Sequence, residues 1–289
     1  VKPLFEEYRG FGLHELPPNG QGLAALITLG ILKHFNLKDY PVDSADSIHL
    51  QIEAMKLGFA DVERHLADPK FMSVDCAALL NSDYLSSRAK LIHMRKAKYP
   101  ETGIPHDRGT VYLTAADSDG SMVSFIQSNF WGFGSGIVIP GTGISMQDRG
   151  YGFSLERGHP NQVDGGKRPY HTIIPGFATR DGLPVMSFGV MGGHMQPQGH
   201  VQMMVRIFDY RQNPQAASDA PRWCLLEDVR VAVEPGFSPG VLDDLSDRGH
   251  DIVTGLPEQT FGGAQLIYKM DGHYVAASDH RKDGSAIGF

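Results

Sequence analysis

The strongest constraint in this chain is a change of periodicity near residue 110. Before it, apolar residues recur at helical spacing. Ile48, Ile52, Met55, Phe59, Val62 and Leu66 lie 4, 3, 4, 3 and 4 apart, which sets them along one face of a single long helix. After it come short β-type runs, "TVYLTAA" and "MVSFIQS", joined by Asp117-Ser118-Asp119-Gly120, a hairpin signal. Helices first, then hairpin-linked strands with helices between them, predict a layered α/β arrangement with largely antiparallel sheets. A doubly wound parallel sheet, which needs crossover connections, fits poorly.

The remaining elements follow the same logic. Ser44 is a good N-cap for the long helix, and Asp68-Pro69 ends it because proline disfavours helix in the residue before it. "GLAALITLGILKHF" (22–35) predicts an apolar helix, and the Lys- and Arg-rich stretch near 83–98 a third. The Pro- and Gly-containing loop "YPETGIPHDRG" is expected to be exposed. Beyond the hairpin lie a glycine-dense stretch (131–154), two strands within "TIIPGFATR" and "LPVMSFGV", and a helix after "MGGH". A short helix over 238–249 opens with Ser238 and Pro239, and a last hairpin turns at Asp271-Gly272.

Composition excludes several classes. The net charge is −7 over 289 residues, the wrong sign for a nucleic-acid binder. No run of about 18 apolar residues exists, so no membrane span is expected. Cys76 and Cys224 have no metal-ligand spacing and make no disulfide framework; both read as buried thiols. The chain starts at Val1 rather than Met, which reads as a piece or a processed product, with the compartment left open between cytoplasm and periplasm.

Few residues invite chemistry by pattern alone. "GFGSG" (132–136) runs into β-like "IVIPG" instead of a helix, so it is no dinucleotide fingerprint. His194 and His200 are six apart, not the i, i+4 spacing of a helical zinc pair, and no G-x-S-x-G elbow occurs. No metal or organic cofactor is implied. Gly192-Gly193, at a strand-to-helix turn, could either be a tight turn or present backbone N–H groups to an oxyanion. The Gly109-Thr110 pair could be an ordinary start of a strand. It could also be a bond made to be cut, freeing a Thr110 α-amine with a pKa of about 7.7–8.0 to serve as the base for its own hydroxyl.

In order, "YRGFGLHELPPNGQG", the long helix ending in Asp-Pro, "TVYLTAADSDGSMVSFIQSNFWGFGSG", "GKRPYHTIIP", "MGGHMQPQGH", "DAPRW" and "ASDHRKDGSAIGF" resemble the γ-glutamyltransferase family of N-terminal-nucleophile hydrolases. The resemblance implies a four-layer αββα sandwich and self-cleavage at Gly109–Thr110. Residues 1–109 would be the C-terminal part of a large subunit and 110–289 the small, catalytic one, with the first half of the large subunit as a missing partner. It implies Thr110 as nucleophile, Gly192 and Gly193 as the oxyanion hole, and Ser128 as the hydroxyl that bonds the nucleophile. Thr114 matches a Ser/Thr four residues after the nucleophile, and Asn129 a substrate-binding asparagine. A small-molecule amide is the implied substrate, and a homo-oligomer is compatible.

The departures bear on substrate. Gly152 stands where the transpeptidases have the Asp that grips an α-ammonium group, Arg149 where they have Gln or Glu, and His171 and Thr172 in place of paired serines. A guanidinium favours an acidic group on the substrate. The expectations are therefore a γ-glutamyl amide hydrolase or transferase, a non-γ-glutamyl acylase of the cephalosporin-acylase kind, or a non-catalytic relative that binds or assembles.

Overall fold

The computed structural model describes residues 1–98 and 110–289. Helix α1 (Gly22–Leu32) is apolar on every side and wholly buried, as a helix without a polar face must be. It packs on α2 (Ala45–His65), α4 (Ser82–Ala89), α5 (Met195–Met204) and the hairpin of β1 (Leu4–Tyr8) and β2 (Phe11–Glu15). α2 is the predicted long helix, with the Ser44 side chain accepting from the Ser47 N–H. A single turn, α3 (Cys76–Leu79), precedes α4.

One sheet of six strands carries the molecule: β1, β2, β5 (Gly176–Arg180), β6 (Leu183–Met191), β10 (Gly263–Met270) and β11 (His273–Ser278), in that order and antiparallel throughout. Chain from both sides of residue 110 is thus woven into one sheet. Alternation along β6 separates its two faces. Phe188 and Val190 meet α5, through the His200 ring and Gly199, whereas Ser187 and Gly189 meet the hairpin of β3 (Val111–Ala116) and β4 (Met122–Gln127). The Tyr112 ring lies so close over Gly189 that a Cβ there would stand 2.4 Å away. The described residues therefore stack helices, a full antiparallel sheet and the hairpin of a second sheet, the α+β architecture expected.

A smaller sheet joins β7 (Trp223–Glu227) antiparallel to β8 (Arg230–Val233), and β8 parallel to β9 (Asp251–Val253) across α7 (Pro239–Asp247). No local pattern in the sequence marks these strands. Nor does one mark β1 and β2, whose turn, Arg9-Gly10, has both residues at positive φ, the two-residue geometry typical of hairpins. "TIIPGFATR" yields only β5 because Pro175 cannot donate to a ladder. The helix expected over 83–98 stops at Ala89, since residues 93–98 find tertiary partners instead. His49 Nε2 and Arg248 Nη1 donate to the His93 and Met94 carbonyls, and the Ala97 N–H donates to the Arg248 carbonyl. Cys224 is buried on β7, but Cys76 is only half-buried.

The motifs "DAPRW" and "ASDHRKDG" meet in one buried ion network beside α6 (Pro214–Asp219). Arg222 pairs with Asp279 at 2.6 Å, Arg281 pairs with Glu234 at 2.5 Å, and Asp279 also takes the N–H of Ala264, the second residue of β10. Charges this deep are stable only when paired, so these motifs serve the frame.

Candidate active site

Thr110 is half-buried and directly precedes β3, while Gly109 lies outside the described residues. The hairpin register pairs Val111 with Gln127. One further antiparallel step sets Thr110 across from Ser128. Ser128 is in turn held by Arg149, whose Nη2 donates to its Oγ, and whose Nη1 donates to Thr172 Oγ1 at 2.7 Å. The guanidinium stands 5.2 Å over the Phe130 ring. The sequence-predicted Ser128, Arg149 and Thr172 thus form one cluster next to Thr110.

Arg149 is only 6 % exposed, and no carboxylate makes an ion pair with it among the described residues. Burial pulls its pKa down to about 10, opposed by the charge of Asp148. Burial and the Arg149 charge likewise push His171 down to about 4, so its imidazole is neutral at pH 7. Asn129 shapes the cluster through its backbone: its carbonyl accepts the Asp148 N–H at 3.1 Å, closing the 131–148 loop at its base. Thr114 is elsewhere. It faces the first sheet and donates to Ser187 Oγ at 2.7 Å, tying β3 to β6.

Gly192 and Gly193 link β6 to α5 with φ of +122° and +59°, conformations that side chains rarely adopt. Their carbonyls accept the Met195 and Gln196 N–H groups of the first turn of α5. Neither glycine's own N–H donates to a protein acceptor among the described residues. Donors beside the positive end of a helix are suited to an anionic oxygen.

Two residues that the sequence reading passed over complete the site. Gln21, wholly buried ahead of α1, donates from Nε2 to the Thr172 carbonyl and, at 2.9 Å, to the Gly193 carbonyl. Tyr170 Oη donates to Gln21 Oε1 at 2.7 Å, and the Tyr170 ring stacks on His194 at 5.5 Å. A cavity of about 270 Å³ opens beside Arg149 and Thr172. Phe59 and Val62 of α2 and Leu66 just past its end wall it with Phe130, Tyr151 and Phe153, and Glu63, Glu156 and His159 also line it. The apolar helical face read from the sequence is therefore partly a cavity wall.

A second gathering of metal-capable side chains, His49, Glu53 and His250, is buried between α2 and the end of α7. Most of these groups already have partners, His250 Nδ1 being the buried exception among the described residues. His49 Nε2–H donates to the His93 carbonyl, so His49 Nδ1 accepts from His250 Nε2–H at 2.8 Å. Glu53 pairs with Lys56 and accepts the Lys98 N–H. With Lys56 and Arg248 adding positive charge, the set fits a polar clamp on residues 93–98 better than a cation site.

Comparison with known proteins decides the family. The family model for gamma-glutamyltranspeptidase matches residues 1–289. This chain belongs to the gamma-glutamyltranspeptidase family. Within the family it is 34% identical to the glutathione hydrolase-like YwrD proenzyme of Bacillus subtilis, over 99% of this chain and 55% of that protein. It is 33% identical to the oxamate amidohydrolase proenzyme of Klebsiella pneumoniae, again over 99% and 55%. Among solved structures, a cephalosporin acylase from Bacillus halodurans superposes with a TM-score of 0.92 at 49% identity, covering 99% of this chain and 52% of that one. The chain spans about half the length of the curated relatives it matches. The relatives are hydrolases and acylases, so the family points to amide hydrolysis.

Proposed function

We propose that the protein is an amide hydrolase working through an acyl-enzyme on Thr110, selective for acyl groups that carry a carboxylate rather than an α-amino acid. In this reading, self-cleavage at Gly109–Thr110 frees the Thr110 α-amine. Thr110 Oγ attacks the amide carbonyl while the α-amine takes the hydroxyl proton and passes it to the departing amine. The Gly192 and Gly193 N–H groups hold the oxyanion. Water then splits the ester, returning Thr110 Oγ–H and releasing a carboxylic acid.

The observation that carries the selectivity is Arg149, a buried cation that makes no ion pair with a carboxylate among the described residues, one side chain away from Thr110 and open to the cavity. A buried charge calls for a partner, and a substrate carboxylate supplies one. Gly152 provides no charge for an α-ammonium group. Two of the relatives, named an oxamate amidohydrolase and a cephalosporin acylase, are in keeping with an acyl preference other than γ-glutamyl, whereas the YwrD relative is named glutathione hydrolase-like. The outward face of the β3–β4 hairpin exposes Val111, Leu113, Val123 and Phe125, which supports the reading that further large-subunit chain packs there.

A panel of p-nitroanilides tests this on the full-length protein. The glutaryl anilide, which keeps the carboxylate and lacks only the α-ammonium group of the γ-glutamyl one, should be cleaved at least about tenfold better, the cost of burying an ammonium without a partner. A preference for the γ-glutamyl anilide contradicts the selectivity, and release from neither contradicts hydrolysis.

A further inference from the structure

We infer that Gln21 is a positioning residue for the proposed oxyanion turn, setting the orientation of Gly193 through its carbonyl. The inference rests on the hydrolase reading above for its catalytic consequence, but its geometric content stands on the structure alone.

A glycine has no side chain to restrain it, and Gly193 sits at φ +59°, one of several basins open to glycine. Within α5 its carbonyl is held by the Gln196 N–H at 3.2 Å, near the long end of the normal range. The second and shorter hold is Gln21 Nε2 at 2.9 Å. That bond fixes the peptide plane following Gly193, hence its ψ, and so the direction in which the preceding N–H groups point. The other Nε2 hydrogen goes to the carbonyl of Thr172, whose hydroxyl takes Arg149. A single primary amide therefore ties the donors proposed for the oxyanion to the cation proposed for the substrate carboxylate.

The amide cannot turn over, because Tyr170 Oη donates to Gln21 Oε1 at 2.7 Å, which leaves both N–H bonds for the two carbonyls. The Gln21 backbone is also fixed: its N–H donates to the His171 carbonyl at 2.9 Å. Every polar atom of the side chain has a partner in a fully buried place. Only an amide offers one acceptor and two donors in this fork. Glu has the length without the donors, and Met the volume without either.

The test compares wild type, Gln21→Glu, Gln21→Met and Tyr170→Phe in the full-length protein with glutaryl p-nitroanilide as probe. The Gln21 variants should lose about 10- to 100-fold in kcat, less than outright loss of an oxyanion donor, with KM moving less than about threefold because the substrate is not touched. Tyr170→Phe, which keeps both Gln21 donors and removes only their orientation, should lose about three- to tenfold in kcat. Amide hydrogen exchange at Met195 and Gln196, whose N–H groups donate to the Gly192 and Gly193 carbonyls, should quicken at least about tenfold in the Gln21 variants and less in Tyr170→Phe. Wild-type kcat per folded molecule in Tyr170→Phe and in any folded Gln21 variant overturns the catalytic consequence, and unchanged exchange overturns the positioning itself. A wild type that releases no p-nitroaniline contradicts the hydrolase reading, and exchange then decides the positioning.

Discussion

Gly152 lies so close to the backbone of Tyr170 that a Cβ on it would stand 2.6 Å from the Tyr170 carbonyl oxygen. Backbone cannot swing aside as a flexible side chain can. Position 152, which the sequence resemblance matches to an aspartate of the transpeptidases, is thus closed to any side chain in this fold unless the chain shifts. Gly152→Ala should destabilise by about 1–3 kcal/mol, as overpacking does, and Gly152→Asp should bring no gain in γ-glutamyl hydrolysis. Thermal melts and kinetics on both variants check this; a stable Gly152→Asp protein that gains γ-glutamyl activity contradicts it.

Arg149 offers a test with two opposite signs. Arg149→Gln removes the cation while keeping a donor for Ser128 or Thr172. Losing a charge-assisted hydrogen bond of about 1.5–3 kcal/mol should lower kcat/KM for a carboxylated acyl anilide by about 10- to 150-fold. A neutral acyl anilide of the same length should change little. Stability should change by no more than about 2 kcal/mol, because removing a buried charge that has no ion pair among the described residues offsets the loss of one of its two hydroxyl hydrogen bonds. Equal losses for both anilides would assign Arg149 to the frame instead.

Much of this arrangement was legible in the chain, and the rest was hidden for identifiable reasons. Helix α2 showed because its apolar residues keep one period for five turns, and the β3–β4 hairpin because a four-residue turn of Asp, Ser and Gly separates two β-type runs. Ser128, Arg149 and Thr172 were individually visible through family order, but their meeting depends on two loops folding back over α2, which no local pattern encodes. Thr114, by contrast, proves to face β6 through Ser187. Gln21 was hidden because a lone glutamine before an apolar helix looks like any polar residue at a loop end; only burial and three partners single it out. The β7–β8–β9 sheet was missed because its strands are three to five residues long and one pairing is parallel, set by tertiary contact across α7.

The His49–His250 pair predicts a pH dependence of stability. Burial, with Lys56 and Arg248 nearby, lowers the folded-state values to about 4 for His49 and about 3 for His250, against about 6.5 in the unfolded chain. Between these limits the unfolded state binds more protons than the folded one, so stability falls as pH drops from about 6.5 toward 4. His250→Gln retains a donor for His49 Nδ1 and removes one titrating group. Its melting temperature should fall less steeply than wild type over that interval. Parallel slopes in calorimetry at several pH values contradict the account.

The most direct test of the central claim is the intact mass and N-terminal sequence of the full-length purified protein, beside Thr110→Ala. The account predicts a new chain beginning at Thr110 in the wild type and an unbroken chain in the variant. A wild-type protein that stays whole on long incubation, or a Thr110→Ala protein cut at the same bond, would contradict it, leaving Thr110 as the residue that leads into β3.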